Sequence, residues 1–355
     1  MLLNRRQALT VGVQAAIGVL GSAVSYGRAA AQNAVTARKP VVLGGRRVRT
    51  IDIHAHCVIP EALDLIPGAR ANPPSLVLGP QRLLDMDAHG IDVQVLSINQ
   101  FWYAAPREVA SRVVDLQNER LAEICAAHAE RFVPLASVAL QHPDLAARQL
   151  DHAVKKLGMR GVAIAAHVGG DELAAPKFHP FWARAEELGV VVFIHPQAIP
   201  ELETRLRGNG GLTNVIGNPL DTTIALSHLI FEGTLDTFPG LTICAAHGGG
   251  YLGSYRARSD HGCAAAPGAE CKVTLKKAPS EYMKQMYVDS IVFTSEALRH
   301  LVAESGADHV VMGTDYPYGW NPTAVDHVLQ APGLSDADRI AILGGNAARL
   351  LRLAS

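Results

Sequence analysis

Five polar residues stand where apolar runs end. His54 and His56 lie two apart in Ile51-Asp52-Ile53-His54-Ala55-His56, and His195 closes Val191-Val192-Phe193-Ile194-His195. His247 precedes three glycines in Ala245-Ala246-His247-Gly248-Gly249-Gly250, and Asp315 follows Met312-Gly313-Thr314. Each signal alone is weak. Fifteen histidines in 355 residues give about 0.6 pairs of the form H-x-H by chance, and a lone Asp before Tyr-Pro is most often a turn residue. Their shared position is the stronger signal. Side chains two apart on a strand point the same way, so His54 and His56 can grip one ion while His195 and Asp315 approach from other walls.

That convergence needs a scaffold. Short apolar runs recur at Thr50 to His54, Val93 to Ile98, Phe132 to Val138, Gly161 to Ala165, Val190 to His195, Leu241 to Ala246, Met286 to Val292 and His309 to Gly313. Most are bounded by Gly or Pro and rich in Val and Ile. Several are apolar at every position, as parallel strands covered on both faces must be. Amphipathic stretches such as Ser111 to Ala129 and Leu145 to Leu157 lie between them. Eight such units predict a single (β/α)8 barrel over residues 48–355, whose C-terminal strand ends share one mouth. A doubly wound sheet is the alternative, but no G-x-G-x-x-G follows the first strand. Arg205 to Pro219, rich in Gly and Asn, reads as a loop above the barrel.

Composition narrows the function. Lys and Arg number 32 against 33 Asp and Glu, a net charge of −1, so a chain gripping nucleic acid by bulk charge is excluded. Residues 1–31 read as a cleavable twin-arginine export signal: Arg5-Arg6, a short apolar stretch from Val11 to Val24, then Ala29-Ala30-Ala31. The expectation is a periplasmic or exported enzyme, handled transiently by the twin-arginine machinery, with a linker over residues 32–47. None of the five cysteines forms a C-x-x-C pair, which argues against a thiolate zinc site. Cys57, Cys125 and Cys244 read as buried thiols, and a disulfide between Cys263 and Cys271 is left open.

The motifs H-A-H, F-I-H-P, A-H-G-G-G-Y and G-T-D-Y-P, with Arg82 to Asp87 and Gly345-Asn346-Ala347-Ala348, resemble the amidohydrolase superfamily. The closer resemblance is to its branch of 2-amino-3-carboxymuconate-6-semialdehyde decarboxylase and related aromatic-acid decarboxylases, over about Val48 to Leu351. The resemblance implies one divalent metal, usually Zn2+ and sometimes Mn2+, held by His54, His56, His195 and Asp315. It makes His247 an acid/base group beside the metal, with Asp315 also catalytic. Lys155 and Lys156 precede the fourth strand, so no lysine is placed to bridge a second metal. The resemblance also gives Arg258 as a binder of substrate carboxylate, reaching across a homodimer. Departures concern the substrate: beyond Arg70, the segment between His56 and Arg82 lacks basic residues, and Gln197 follows His195-Pro196 where the named decarboxylase has an aromatic residue. Phe101-Trp102-Tyr103 is either an aromatic pocket wall or packing at the barrel rim.

The expected function is therefore metal-dependent, non-oxidative decarboxylation of an aromatic or muconate-type carboxylic acid. The alternative is hydrolysis of a C–C, ester, lactone or amide bond at the same site, which export of the enzyme would favour. A structural metal site is disfavoured, because such a site closes its coordination shell whereas here an acid/base His stands beside it.

Overall fold

The computed structural model describes residues 38–265, 268 and 271–354. The export signal and the first part of the linker lie outside these residues. The described remainder of the linker folds into a small antiparallel hairpin, Val42–Leu43 against Arg46–Arg47. It is tied to the barrel by Arg38, which pairs with Asp87 at 3.4 Å and Asp92 at 3.3 Å.

Eight parallel strands follow: β1 (Ile51–His56), β2 (Val93–Ser97), β3 (Phe132–Pro134), β4 (Gly161–Ala165), β5 (Val191–His195), β6 (Thr242–Ala245), β7 (Tyr287–Asp289) and β8 (Val310–Val311). β1 to β3 pair in sequence order, as do β4 to β8. The two arcs meet at both seams. Ala136 bridges Val162 on one side; on the other, Ile53 N donates to Met312 O at 2.9 Å and Ala55 bridges Tyr316. The result is the closed (β/α)8 barrel that the alternation of apolar runs predicts.

Among the described residues, the α-helices of seven residues or more are α1 (Pro80–His89), α2 (Arg107–Ala127), α3 (Pro143–Lys155), α4 (His179–Leu188), α5 (Asn218–Phe231), α6 (Arg256–Ala265), α7 (Ser295–Ser305) and α8 (Ala324–Gln330). Proline opens α1 and α3, where its missing N–H costs nothing. Thr294 caps α7 by accepting from Ala297 N at 3.1 Å. The strands carry apolar side chains on both faces, giving two cores. Ile51, Ile53, Val95, Leu135, Phe193 and Val311 belong to one that fills the barrel, and Trp102, Phe181, Trp182, Leu229 and Leu298 belong to a larger layer against the helices.

Several expectations change in detail. β3, β7 and β8 are shorter than the apolar runs that suggested them. Past β7 and β8 some of the backbone N–H groups are taken by side chains: Ile291 N by Asp289 at 3.0 Å and Thr314 N by Asp52 at 3.0 Å. The segment read as a loop after Arg205 includes a π-helical turn, Thr213–Gly217, which runs directly into α5. Cys263 and Cys271, left open by the sequence, form a disulfide with Cα atoms 5.5 Å apart, and Cys57, Cys125 and Cys244 are free and buried. No described helix is long and apolar enough to cross a membrane.

Candidate metal centre

His54, His56, His195, His247 and Asp315 meet at the C-terminal mouth of the barrel. His54 Nε2 lies 2.9 Å from His56 Nε2, and Asp315 Oδ1 lies 3.0 Å from His56 Nε2 and 3.3 Å from His54 Nε2. The His56 and His195 rings sit 4.6 Å apart, centroid to centroid. One donor atom from each of His54, His195, His247 and Asp315 falls within 4.8 Å of the others. Thus His247, assigned by resemblance to stand beside the ion, is close enough to enter the same sphere. Exposure separates the five. The side chains of His54 and His56 are fully buried, whereas that of His247 is 13% exposed and, with Asp315, lines the cavity above.

The cluster fits a cation. Asp315 Oδ1, although crowded by imidazole nitrogens, has no hydrogen-bond partner, and neither does buried His247 Nδ1. Burial pulls the His54 imidazole down, but the charges and hydrogen bonds of Asp315 and Asp289 overcome it and lift it to about 10. Burial pushes the Asp315 carboxyl up, yet His54, His247 and His56 hold it well below the usual carboxylate range. His56 is brought down to about 4 by burial against the opposing pull of Asp315, and His195 also falls through burial. The pocket holds buried negative charge that calls for one positive partner, and burial keeps the His56 and His195 imidazoles neutral, as nitrogen ligands must be.

Asp289, at the end of β7, is absent from the sequence-derived set. Its Oδ2 lies 2.6 Å from His54 Nδ1 and accepts His247 N at 2.9 Å, while its Oδ1 accepts Gly248 N at 2.9 Å. A carboxylate at Nδ1 places the His54 proton there and frees Nε2 for an ion. The same carboxylate therefore orients a candidate ligand and anchors the loop carrying His247. The signal was present as an acid in the middle of an apolar run. Asp52 does parallel work beneath β8: it accepts His54 N at 3.1 Å, Gln94 Nε2 at 3.0 Å and Thr314 Oγ1 at 2.6 Å. Its carboxyl is raised to about 6 because burial outweighs those bonds. Ser97 Oγ meets His56 Nδ1 at 3.1 Å, and Arg82 donates to His56 O from behind.

Two site residues adopt left-handed backbone that side chains disfavour, His247 at φ 54° and Asp315 at φ 59°. Each such residue costs about 1–3 kcal/mol unless its surroundings enforce it. Asp289 does so at His247, and Asp315 N donates to His54 O at 2.9 Å. The following glycines permit close packing. A Cβ on Gly249 would fall 2.9 Å from Val288 Cγ1, and one on Gly250 would fall 2.2 Å from Pro219 O. Their main service is to seat the loop on β7 and α5; only Gly250 of the three also lines the cavity.

The cavity above the cluster has a volume of about 450 Å³. Val215, Ile291, Val292, Phe293 and Trp320 form apolar walls, Tyr251 adds a phenol, and His247 with Asp315 forms the floor. Phe101-Trp102-Tyr103 is not among its walls. Trp102 is fully buried and donates Nε1–H to Val138 O at 3.0 Å, so the rim-packing alternative holds. Arg258 is exposed on α6 and does not line the cavity of its own chain.

Residues 51–353 match a family described as amidohydrolase. The chain is 31% identical over 275 residues to 2-amino-3-carboxymuconate-6-semialdehyde decarboxylase of Dictyostelium discoideum, covering 77% of this chain and 76% of that one. The crystal structure of 5-carboxyvanillate decarboxylase from Sphingomonas paucimobilis aligns with a TM-score of 0.79 at 26% identity, over 86% of this chain and 100% of that one. A dihydroxybenzoic acid decarboxylase from Polaromonas sp. JS666, solved with manganese and the inhibitor 2-nitroresorcinol, gives 0.76 at 26% identity, over 86% and 97%. A barrel closed as described, a histidine and aspartate cluster at its mouth and these likenesses agree: the chain belongs to the amidohydrolase family, in its decarboxylase branch.

Proposed function

We propose that this enzyme catalyses the non-oxidative decarboxylation of an aromatic or muconate-type carboxylic acid. The observation that carries the reading is the placement of His247 and Asp315 between the metal-type cluster and an apolar cavity. His54, His56, His195 and Asp315 would hold one divalent ion, zinc or manganese; His247 stays off the ion because it is the more exposed imidazole and faces the cavity. When bound, the ion would act as a Lewis acid that orients an anionic substrate and polarises its oxygen. The chain's own part is proton handling. Replacing a C–CO2⁻ bond by C–H needs one proton at the carbon, and CO2 then leaves with neither oxidant nor reductant. His247 Nε2, 3.5 Å from Asp315 Oδ2, is placed to hold and deliver that proton. The apolar walls keep competing water away from it.

The proposal extends to a homodimer in which Arg258 of one copy meets the carboxylate bound in the other, since Arg258 lies outside its own cavity. It also includes twin-arginine export with cleavage near Ala31. Incubating metal-loaded protein with a panel of aryl carboxylic acids and aryl esters tests the reaction. CO2 released in step with the descarboxy product is the expected result. Acid release from esters without CO2 would favour the hydrolase reading on the same site.

A further inference from the structure

The barrel closes where β1 meets the end of β8, and His54, His56 and Asp315 all stand on that seam. At their height β8 (Val310–Val311) has already ended, so the seam is held by single hydrogen bonds. His56 N donates to Tyr316 O at 2.7 Å, and Asp315 N donates to His54 O at 2.9 Å. On the other side of β1 the register with β2 shifts between Asp52 and Ala55. Asp315 adds the left-handed backbone, φ 59°, that its surroundings must enforce.

Arg82, on α1, reaches both sides of this seam. It is buried, and its partners are neutral groups. One nitrogen donates to His56 O, another donates to Gln94 Oε1 at 3.2 Å, and the guanidinium carbon lies 4.5 Å from the centroid of the Tyr316 ring. Burying a guanidinium in this way is unfavourable, and a leucine or methionine would pack there without that penalty. What the planar fork alone supplies is a simultaneous hold on β1 and on Tyr316. Asp85, one turn further along the same face of α1, accepts the Tyr316 hydroxyl at 2.8 Å. Burial and Asp85 push that phenol up to about 12, so it stays a donor. Tyr316 is thus gripped at its ring face and at its hydroxyl by one helix, which itself carries none of the proposed ligands.

We propose that Arg82 and Asp85 are positioning residues: they clamp Tyr316 to α1 and so fix Asp315 against His56 across the closing seam. The clamp needs no ion to exist; its bearing on the ion rests on the metal-centre reading above.

Amide exchange on metal-free protein tests the clamp itself. Arg82→Lys keeps the charge, but a point charge cannot hold His56 O, Gln94 and the ring together. The amides of His56 and Asp315 are expected to exchange at least tenfold faster than in the native protein, while those of β5, between β4 and β6, keep their native rates. Native rates at both seam amides would overturn the inference. So would equal acceleration in β5, which would make Arg82 a general stabiliser of the fold. Tyr316→Phe keeps the ring and loses only the hydroxyl, so it decides the matter if Arg82→Lys does not fold. The same two amides should then exchange about 2- to 10-fold faster, the size of one hydrogen bond, and native rates would again overturn the clamp. Titration of the same proteins with Mn2+, read by the EPR signal of the free ion, gives the consequence for the site. Arg82→Lys is expected to bind about 10–100-fold more weakly, as when an outer partner of a ligand is lost. A loosened seam with native Mn2+ affinity would overturn the link from clamp to ligands. If the native protein binds neither Mn2+ nor Zn2+, the metal-centre reading fails, and the exchange rates still decide the clamp.

Discussion

The floor and the wall of the cavity are built on opposite plans. At the floor, His247 and Asp315 rest on His54, His56, Asp52 and Asp289, which are fully buried, each fixed by hydrogen bonds to another strand end. At the wall, Phe293 and Trp320 project from loops after β7 and β8, and Val215 from the π-helical turn ahead of α5; all three apolar side chains are held by contact alone, with much of their surface in water. Buried charge must be paired closely or it costs several kcal/mol, so the floor tolerates one arrangement. Apolar contact is non-directional and additive, so the wall can change residue by residue. The contrast assigns chemistry to the floor and choice of substrate to the wall.

Substitutions at the floor should therefore be severe and distinguishable. His195→Ala removes a proposed ligand; the protein should purify with substoichiometric metal by elemental analysis, and activity should fall to background. His247→Asn should keep one metal per chain while the rate falls about 10²–10⁴-fold, the usual loss on removing a general acid or base. If His247→Asn purifies without metal and His195→Ala retains it, the roles are reversed. Such a result would follow if His247, which lies within 4.8 Å of the other donors, coordinates the ion in place of His56.

Asp289→Asn is the next smaller perturbation. The amide cannot accept the His54 Nδ1 proton through its nitrogen and leaves one of the present N–H donors unpaired. Losing an outer partner of a ligating histidine typically weakens metal affinity about 10–100-fold. Titration of metal-free protein with Zn2+ or Mn2+ should show that loss. Nitrogen NMR of labelled histidine should show the His54 proton shifted from Nδ1 to Nε2. A normal tautomer with normal affinity would mean that Asp289 serves only to fold the loop.

The floor was largely legible in the sequence and the wall was not. Parallel strands of a closed barrel bring their C-terminal ends to one place, so finding strands one, five, six and eight was enough to gather five residues from across the chain. Asp289 escaped because its run, Met286 to Val292, was read as an apolar strand, and an acid inside it has no local partner to announce it; that partner, His54, lies 235 residues away. Arg82 and Asp52 escaped for the same reason: their partners belong to other strands. At the wall the failure was of another kind. Phe101-Trp102-Tyr103 drew attention by local density, yet Trp102 fills the layer between barrel and helices. Phe293 and Trp320 come singly from separate loops, and loop paths depend on packing that strand periodicity does not encode. Arg258 differs again: it has no partner in its own cavity, so its proposed role needs a second copy of the chain.

Trp320→Ala gives the smallest effect and the sharpest test of the division. The side chain is 41% exposed and lies on the wall, away from the donor atoms of the cluster. Truncation should leave metal content and melting temperature at their original values. A bound apolar group would lose part of the ring surface that covers it, on the order of 1–2 kcal/mol at about 25 cal/mol per Å². That corresponds to a KM roughly 5- to 30-fold higher for a favoured substrate, with kcat little changed, because the contact is made equally in the ground and transition states. An equal fall in kcat with KM unchanged would place Trp320 in the transition-state machinery and erase the boundary between wall and floor. Loss of metal would erase it from the other side, by showing that the loop after β8, which carries both Asp315 and Trp320, acts as a single unit.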